Sequence, residues 1–189
     1  MRFAVVGIVV VSLTVIGLAF MPLPVQSAGG TPAPQAPAYG GAADFTFAVV
    51  IWPQLAGYGN WIMRSDYFPG TSPHGNIVRV YYNTVTLNGV PYHVILKENF
   101  SGGERTTPAE VAKEPAKYLK AITAMIEREP GYDSDNRNWF WVKYNADSTV
   151  STDEKGRPLA GRVAKGETAG CIACHANAKG KDYLFTNDQ

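Results

Sequence analysis

Sulfur and imidazole are scarce in this sequence: its 189 residues include two cysteines, four methionines and three histidines. Net charge is nearly absent as well, since the formal charge is +1 at pH 7. No basic stripe interleaved with aromatic residues is present, and a nucleic acid is therefore not expected as a partner. The sequence has no internal repeat and is long enough to bury a core without many covalent cross-links.

The amino-terminal region has the pattern of an export signal. A single basic residue, Arg2, precedes the apolar run of residues 3–20, and small residues surround Ser27. We predict a signal peptide over residues 1–27, cleaved on export to the periplasm. The run is also close to the roughly 20 residues that span a bilayer, so an uncleaved membrane anchor is the alternative. Residues 28–43 are rich in Pro, Gly and Ala and predict a linker, which leaves one domain over residues 44–189.

Both cysteines lie in the sequence GCIACH, residues 170–175. A disulfide between them would close a very short loop and stabilise little. A redox-active dithiol is expected after an early strand, and zinc would need ligands that the rest of the chain does not supply as a second Cys or His pair. Haem uses all three residues, because two thiols at this spacing can add to its two vinyl groups while the adjacent imidazole ligates the iron. We therefore predict one covalent haem c held by Cys171, Cys174 and His175.

The second axial position of such an iron has no obvious protein ligand. No methionine or histidine follows His175, so a ligand would have to come from upstream. The upstream candidates are Met63, His74, His93 and Met125. An iron with one open face binds small molecules rather than only passing electrons.

Three segments have the pattern of strands, rich in β-branched and aromatic residues: 76–83, 91–100 and 138–145. Asn88-Gly89, between the first two, is typical of a hairpin turn. This strand content argues against a four-helix bundle.

Helices are expected in three further segments. Residues 116–129 are ambiguous, but their apolar positions fit a helical stripe better than one face of a strand. Short helices are predicted around residues 53–64 and 108–113. The second of these has Thr107 as N-cap, followed by a proline.

The ordered segments SPHGNIVRVYYN, VILKENF, EPGYDSDNRNWFWVKYN, AGCIACH and KDYLFTN resemble the cytochrome P-460 family and its relative cytochrome c′-β. The resemblance extends from about Trp52 to Asn187. It implies an α+β fold that is mainly antiparallel β-sheet with a few short helices, one covalent haem c near the carboxyl end, and commonly a homodimer. It also implies a strand at residues 122–127, against the helical pattern there.

The resemblance implies one of two chemistries. Cytochromes P-460 carry a covalent link between a lysine and the haem ring and oxidise hydroxylamine, whereas c′-β proteins lack the link and bind nitric oxide or carbon monoxide. Lys97 in VILKENF matches the linking strand of the family; the alternative is an ordinary lysine in solvent with Glu98 pointing inward. Glu167 falls near the position where active members carry a carboxylate, which would take protons from the substrate.

We therefore predict a periplasmic mono-haem cytochrome that oxidises hydroxylamine to nitrous oxide or nitric oxide at an open iron site. Cys171, Cys174 and His175 bind the haem, Lys97 modifies its ring, and Glu167 accepts protons. A second redox protein accepts the electrons. The first alternative is a nitric oxide or carbon monoxide binding protein without turnover, and the second is a simple electron carrier. A membrane is expected as a partner only if the amino-terminal segment is uncleaved.

Overall fold

The computed structural model describes residues 39–187. The predicted signal peptide and most of the predicted linker lie outside these residues. Folded structure begins before the predicted start of the domain at Asp44, because the N–H of Gly40 donates to the carbonyl of Ala160 at 3.0 Å and the first helix starts at Ala42. Over the described range, no helix is both long enough and apolar enough to cross a membrane.

One sheet of six antiparallel strands, arranged in chain order, organises the domain. The strands are β1 (Phe68–Pro69), β2 (Ile77–Leu87), β3 (Val90–Phe100), β4 (Leu119–Glu127), β5 (Trp139–Asn145) and β6 (Ala160–Gly161). The α-helices are α1 (Ala42–Leu55), α2 (Pro108–Lys113), α3 (Pro115–Tyr118) and α4 (Cys171–His175). Single 3₁₀ turns occur at Tyr58–Asn60, Ser134–Asn136 and Phe185–Asn187. The structure confirms the predicted α+β class.

The predicted hairpin joins β2 to β3 through Asn88 and Gly89. Both turn residues have positive φ, 50° and 80°, as a two-residue type I′ turn requires. The two strands of 11 residues each pair without interruption from the turn to Ile77 and Phe100. Because the turn fixes this register, it also fixes which side chains of β3 point to each face of the sheet.

Both faces of the sheet are covered. One face packs against α1, where Ala48, Ile51 and Leu55 are fully buried, and its sheet residues include Leu96, Ile122, Ile126, Phe140 and Tyr144. The hydroxyl of Tyr144 donates to the carbonyl of Ala48 at 2.8 Å and ties the helix to the sheet. The other face lies under the carboxyl-terminal segment and includes Ile95, Met125, Trp139 and Trp141.

The strand β4 replaces the helix that the sequence pattern favoured. Its apolar residues Ala121, Ile122, Ala124, Met125 and Ile126 are all buried. A strand covered on both faces carries apolar side chains at neighbouring positions, so the period of two that marks a half-exposed strand is lost. The strand implied by the family resemblance is confirmed, and the helix is wrong.

The two other helix predictions had different outcomes. Helix α2 begins at Pro108 as predicted, and its capping box is complete: the Glu110 N–H donates to Thr107 Oγ1 at 3.3 Å, and the Thr107 N–H donates to the Glu110 carboxylate at 2.8 Å. A helix was predicted around residues 53–64, but the helix observed in this region, α1, lies mostly upstream and ends at Leu55. Gly57 and Gly59 disfavour a regular helix beyond it, and only a 3₁₀ turn forms there.

Replacing Thr107 with alanine is expected to lower the free energy of unfolding by about 1 kcal/mol, because α2 loses the side-chain half of its capping box. Thr168→Ala, in an exposed loop, is the matched control and should change this free energy by less than about 0.5 kcal/mol. Urea denaturation of both variants measures the difference. Equal effects would show that the cap does not stabilise the domain.

Candidate functional site

The GCIACH sequence forms the single helical turn α4. Gly170 precedes it with φ 127°, and a Cβ at this position would collide with a neighbouring side chain, so glycine is required there. Residues three and four apart lie on one side of a helix, which brings Cys171, Cys174 and His175 together. Both cysteines are free thiols, and they do not form the short disulfide considered above.

The chain that follows the motif orients the ring of His175. Its Nδ1 donates to the carbonyl of Tyr183 at 2.7 Å, which leaves Nε2 available to ligate a metal. The ring lies edge-on to Trp141 and Phe185, with centroids 4.9 and 5.4 Å away. Burial lowers the pKa of His175 and so favours the neutral imidazole that a metal requires.

A cleft opens between the sheet and the carboxyl-terminal segment. Cys171 and His175 border it, and an adjoining depression between His175 and residues 68–73 is bordered by Cys174. The walls are largely apolar and include Val80, Ile95, Ala124, Met125, Val142, Leu184 and Phe185. Within residues 39–187, neither aspartate nor glutamate lines the cleft.

Lys97 lies in this cleft. It stands between Val80 on β2 and Thr123 on β4 and is half-buried. Burial lowers the pKa of Lys97 to about 8. The lowered pKa favours the neutral amine, which is the nucleophilic form. The structure does not support the alternative of a lysine in solvent.

Glu98, the next residue, points to the opposite face of the sheet and is also buried. Its carboxylate accepts hydrogen bonds from the hydroxyls of Tyr58 at 2.9 Å and Tyr81 at 2.8 Å. These bonds compensate for the loss of water around the carboxylate. Lys97 and Glu98 thus each point to a covered face of the sheet. The sequence analysis had treated an inward Lys97 and an inward Glu98 as alternatives.

Glu167 is not brought into the cleft. Its side chain is 40% exposed and pairs with Arg157, with Nη1 and Oε1 3.4 Å apart. Arg157 in turn binds Asp153 at 2.7 Å. Glu167 lies four positions before Cys171, but the three residues between them form bends, so sequence spacing did not determine where the carboxylate points.

Two of the four upstream candidates for a second axial ligand, His74 and Met125, border the cleft. His93 is exposed, with Nδ1 2.9 Å from Thr84 Oγ1, and Met63 is 67% exposed. The sequence analysis named His74 among the four candidates but did not single it out. Its position three residues before β2, the strand paired with that of Lys97, is the signal that could have done so.

A family model for Cytochrome P460 matches residues 56–186. The chain belongs to the cytochrome P460 family. The match covers all six strands and α4, and it confirms the resemblance drawn from the sequence. Neither the curated proteins nor the solved structures gave a match. Membership of the family makes this protein a cytochrome with haem as its expected cofactor.

The residues of this cytochrome fit a haem. The cleft has the apolar walls that a macrocycle needs, and the three residues of the CxxCH motif border it or its adjoining depression. Trp141 is 3% exposed, and its indole Nε1 has no hydrogen-bond partner among residues 39–187. A buried donor without a partner costs about 1–3 kcal/mol, which a polar group of a bound cofactor would relieve. Across the described chain, no group of three or more Cys, His, Asp or Glu side chains is arranged to hold a bare metal ion.

Proposed function

We propose that this cytochrome binds one haem c covalently in the periplasm and oxidises hydroxylamine there. The observation that carries the proposal is the position of Lys97, whose side chain lines the same cleft as Cys171 and His175. The family resemblance connects a lysine at this strand with the haem link of the hydroxylamine-oxidising members. A buried amine with a lowered pKa is suited to that bond.

Three residues would hold the haem. Cys171 and Cys174 would each add an S–H bond across a vinyl group, which forms a thioether without net oxidation. His175 would ligate the iron through Nε2, while its Nδ1–H bond to the Tyr183 carbonyl fixes the tautomer. When bound, the haem would supply a redox-active iron.

Lys97 would modify the ring. A bond from its amine to a ring carbon replaces one N–H and one C–H bond and releases two protons and two electrons. The electrons require a two-electron oxidant such as hydrogen peroxide. Such a bond alters the electronics of the macrocycle, one of the means by which a protein adjusts a haem.

The overall reaction requires acceptors for electrons and protons. Oxidation of hydroxylamine to nitric oxide releases three of each, and coupling of two hydroxylamine molecules to nitrous oxide and water releases four of each. We assign the electrons to a second redox protein. Reduction of an artificial electron acceptor by the purified holoprotein, dependent on added hydroxylamine, tests the proposal, and binding without turnover would contradict it.

Nitric oxide binding without turnover is the second candidate function. The observation that favours it is the position of Glu167, which pairs with Arg157 outside the cleft and is not placed to take protons from a substrate. In that case the apolar walls would serve only to hold a diatomic ligand.

The homodimer implied by the family resemblance stays a prediction.

Glu167→Gln is expected to change kcat/KM for hydroxylamine by less than about twofold, because the carboxylate belongs to an exposed ion pair worth at most about 1 kcal/mol. Arg157→Gln breaks the same ion pair from the other side and is the matched control. Steady-state kinetics with an artificial acceptor measures both variants. A loss of about tenfold or more in E167Q alone, equivalent to 1.4 kcal/mol, would restore Glu167 as the proton acceptor.

A further inference from the structure

The carbonyl that orients His175 belongs to a residue in a strained backbone conformation. Tyr183, whose carbonyl oxygen lies 2.7 Å from His175 Nδ1, has φ 69°. Lys181, two residues earlier, has φ 55°. A positive φ costs free energy in any residue with a Cβ, and it persists only where the surrounding structure imposes it. The contacts that hold this segment therefore also determine where the Tyr183 carbonyl points.

The start of β5 and the loop before it hold the two residues that precede Tyr183. Arg137 Nη1 donates to the carbonyl of Lys181 at 3.1 Å. Trp139 Nε1 donates to the carbonyl of Asp182 at 3.3 Å. The two donors precede their acceptors by 44 and 43 residues. The conformation of the carboxyl-terminal segment is therefore imposed by tertiary contacts.

A buried chain of polar side chains holds Tyr183 itself. Its hydroxyl donates to Asn136 Oδ1 at 2.9 Å. Asn136 Nδ2 in turn donates to Asp133 Oδ2 at 2.8 Å, and the other oxygen of this carboxylate pairs with Lys165. The side chain of Asp133 is fully buried, and Asn136 and Tyr183 are buried as well. Because water does not reach these groups freely, the loss of one partner leaves the other uncompensated.

The donor and acceptor roles along this chain permit one arrangement. An ionised carboxylate can only accept, so Asn136 turns its amide nitrogen toward Asp133. The amide oxygen then faces Tyr183, which has to donate its hydroxyl hydrogen. From the same tyrosine, the carbonyl accepts from Nδ1 of His175. A continuous path of hydrogen bonds and one residue's covalent frame thus connects the β4–β5 loop with the predicted iron ligand.

We propose that Asn136 acts through Tyr183 as a positioning residue for the iron ligand and lowers the reduction potential of the haem. A carbonyl held against Nδ1–H makes the imidazole of His175 a stronger electron donor at Nε2, which stabilises ferric iron more than ferrous iron. Without the hydroxyl anchor the strained segment relaxes, this hydrogen bond weakens and the potential rises. The inference rests on the proposed function, since it requires His175 to ligate the haem iron.

Redox titration of the purified holoprotein, followed by absorption, tests the inference. Tyr183→Phe keeps the ring and removes the hydroxyl, and Asn136→Ala removes its acceptor. Each is expected to raise the ratio of ferrous to ferric haem at a fixed potential about tenfold, an upward shift of about 59 mV for a one-electron couple. Resonance Raman spectra of the ferrous variants should show the iron–histidine stretch at a lower frequency, because His175 becomes the weaker donor.

Tyr82→Phe is the matched control. Its hydroxyl donates to Thr186 Oγ1 at 3.1 Å, so this variant also removes a tyrosine bond to the carboxyl-terminal segment, but at an exposed site outside the Asn136 chain. The ferrous-to-ferric ratio should change by less than about twofold. The double variant Tyr183→Phe/Asn136→Ala should shift the potential no further than the larger single shift, because both changes break the same bond.

Several results would overturn the inference. One is an unchanged potential in Y183F, and another is a potential that shifts while the iron–histidine stretch keeps its wild-type frequency. Equal shifts in Y82F and Y183F, or additive shifts in the double variant, would also contradict it. If N136A does not fold, the comparison of Y183F with Y82F decides. A wild-type protein without bound haem, or one whose iron coordination is unchanged in H175A, is a different result, since it contradicts the proposed function itself.

Discussion

In the Lys97→Ala background, the double variant Cys171→Ala/Cys174→Ala is expected to contain no covalently attached haem. Both thiols border the cleft or its adjoining depression, and without them and the Lys97 amine a haem could be held only by His175 and packing. Denaturation and extraction with acidified organic solvent should therefore remove all colour from this variant and none from Lys97→Ala alone. Each single variant should retain one thioether and keep its haem through extraction.

Ala176→Ser is the matched control for this experiment. It alters an exposed residue directly after the motif and leaves both thiols and the imidazole in place. Its haem content should equal that of the wild type. Haem that stays attached to the double variant in the Lys97→Ala background after extraction would show that these cysteines are not the attachment sites.

Lys97→Ala is expected to return the ferrous absorption spectrum to that of an ordinary haem c and to lower hydroxylamine oxidation by at least about tenfold. The physical reason is the loss of the ring substituent that alters the electronics of the macrocycle. Nitric oxide binding should persist, because the iron and its open face are unchanged. Absorption spectroscopy and steady-state kinetics on the same preparation measure both effects.

Lys143→Ala is the matched control for Lys97→Ala. Lys143 lies in the same row across the sheet, separated from Lys97 by Thr123, but it does not line the cleft. Its removal should leave the spectrum unchanged. A wild-type spectrum already typical of an ordinary haem c, together with no change in K97A, would favour the nitric oxide binding candidate.

Local signals in the sequence determined much of the fold. The Asn88-Gly89 turn has the positive φ angles that its two residues favour, and it fixed a long hairpin whose register needed no other information. The N-cap at Thr107 was equally local. The strand β4 could not be recognised from its own pattern, because its burial on both faces depends on α1 and on the carboxyl-terminal segment.

The candidate site was predictable where residues are adjacent in sequence and not where the fold brings distant residues together. The CxxCH spacing defined three of its residues, and the family resemblance pointed to Lys97. Glu167 was misplaced because an irregular loop carries no such periodicity. His74 and Trp141 border the cleft only because the loop before β2 and strand β5 meet the same chain segment around His175.

Peptide mass mapping of the purified holoprotein tests most directly whether a haem occupies this cleft with Lys97 on its ring. After tryptic digestion, the peptide of residues 166–179, which contains both cysteines, should carry one haem. A linked Lys97 resists cleavage, so the same haem should be joined to the peptide of residues 80–105. Cysteines of unmodified mass in the mature protein would contradict the account, and haem joined to the first peptide alone would contradict the role of Lys97.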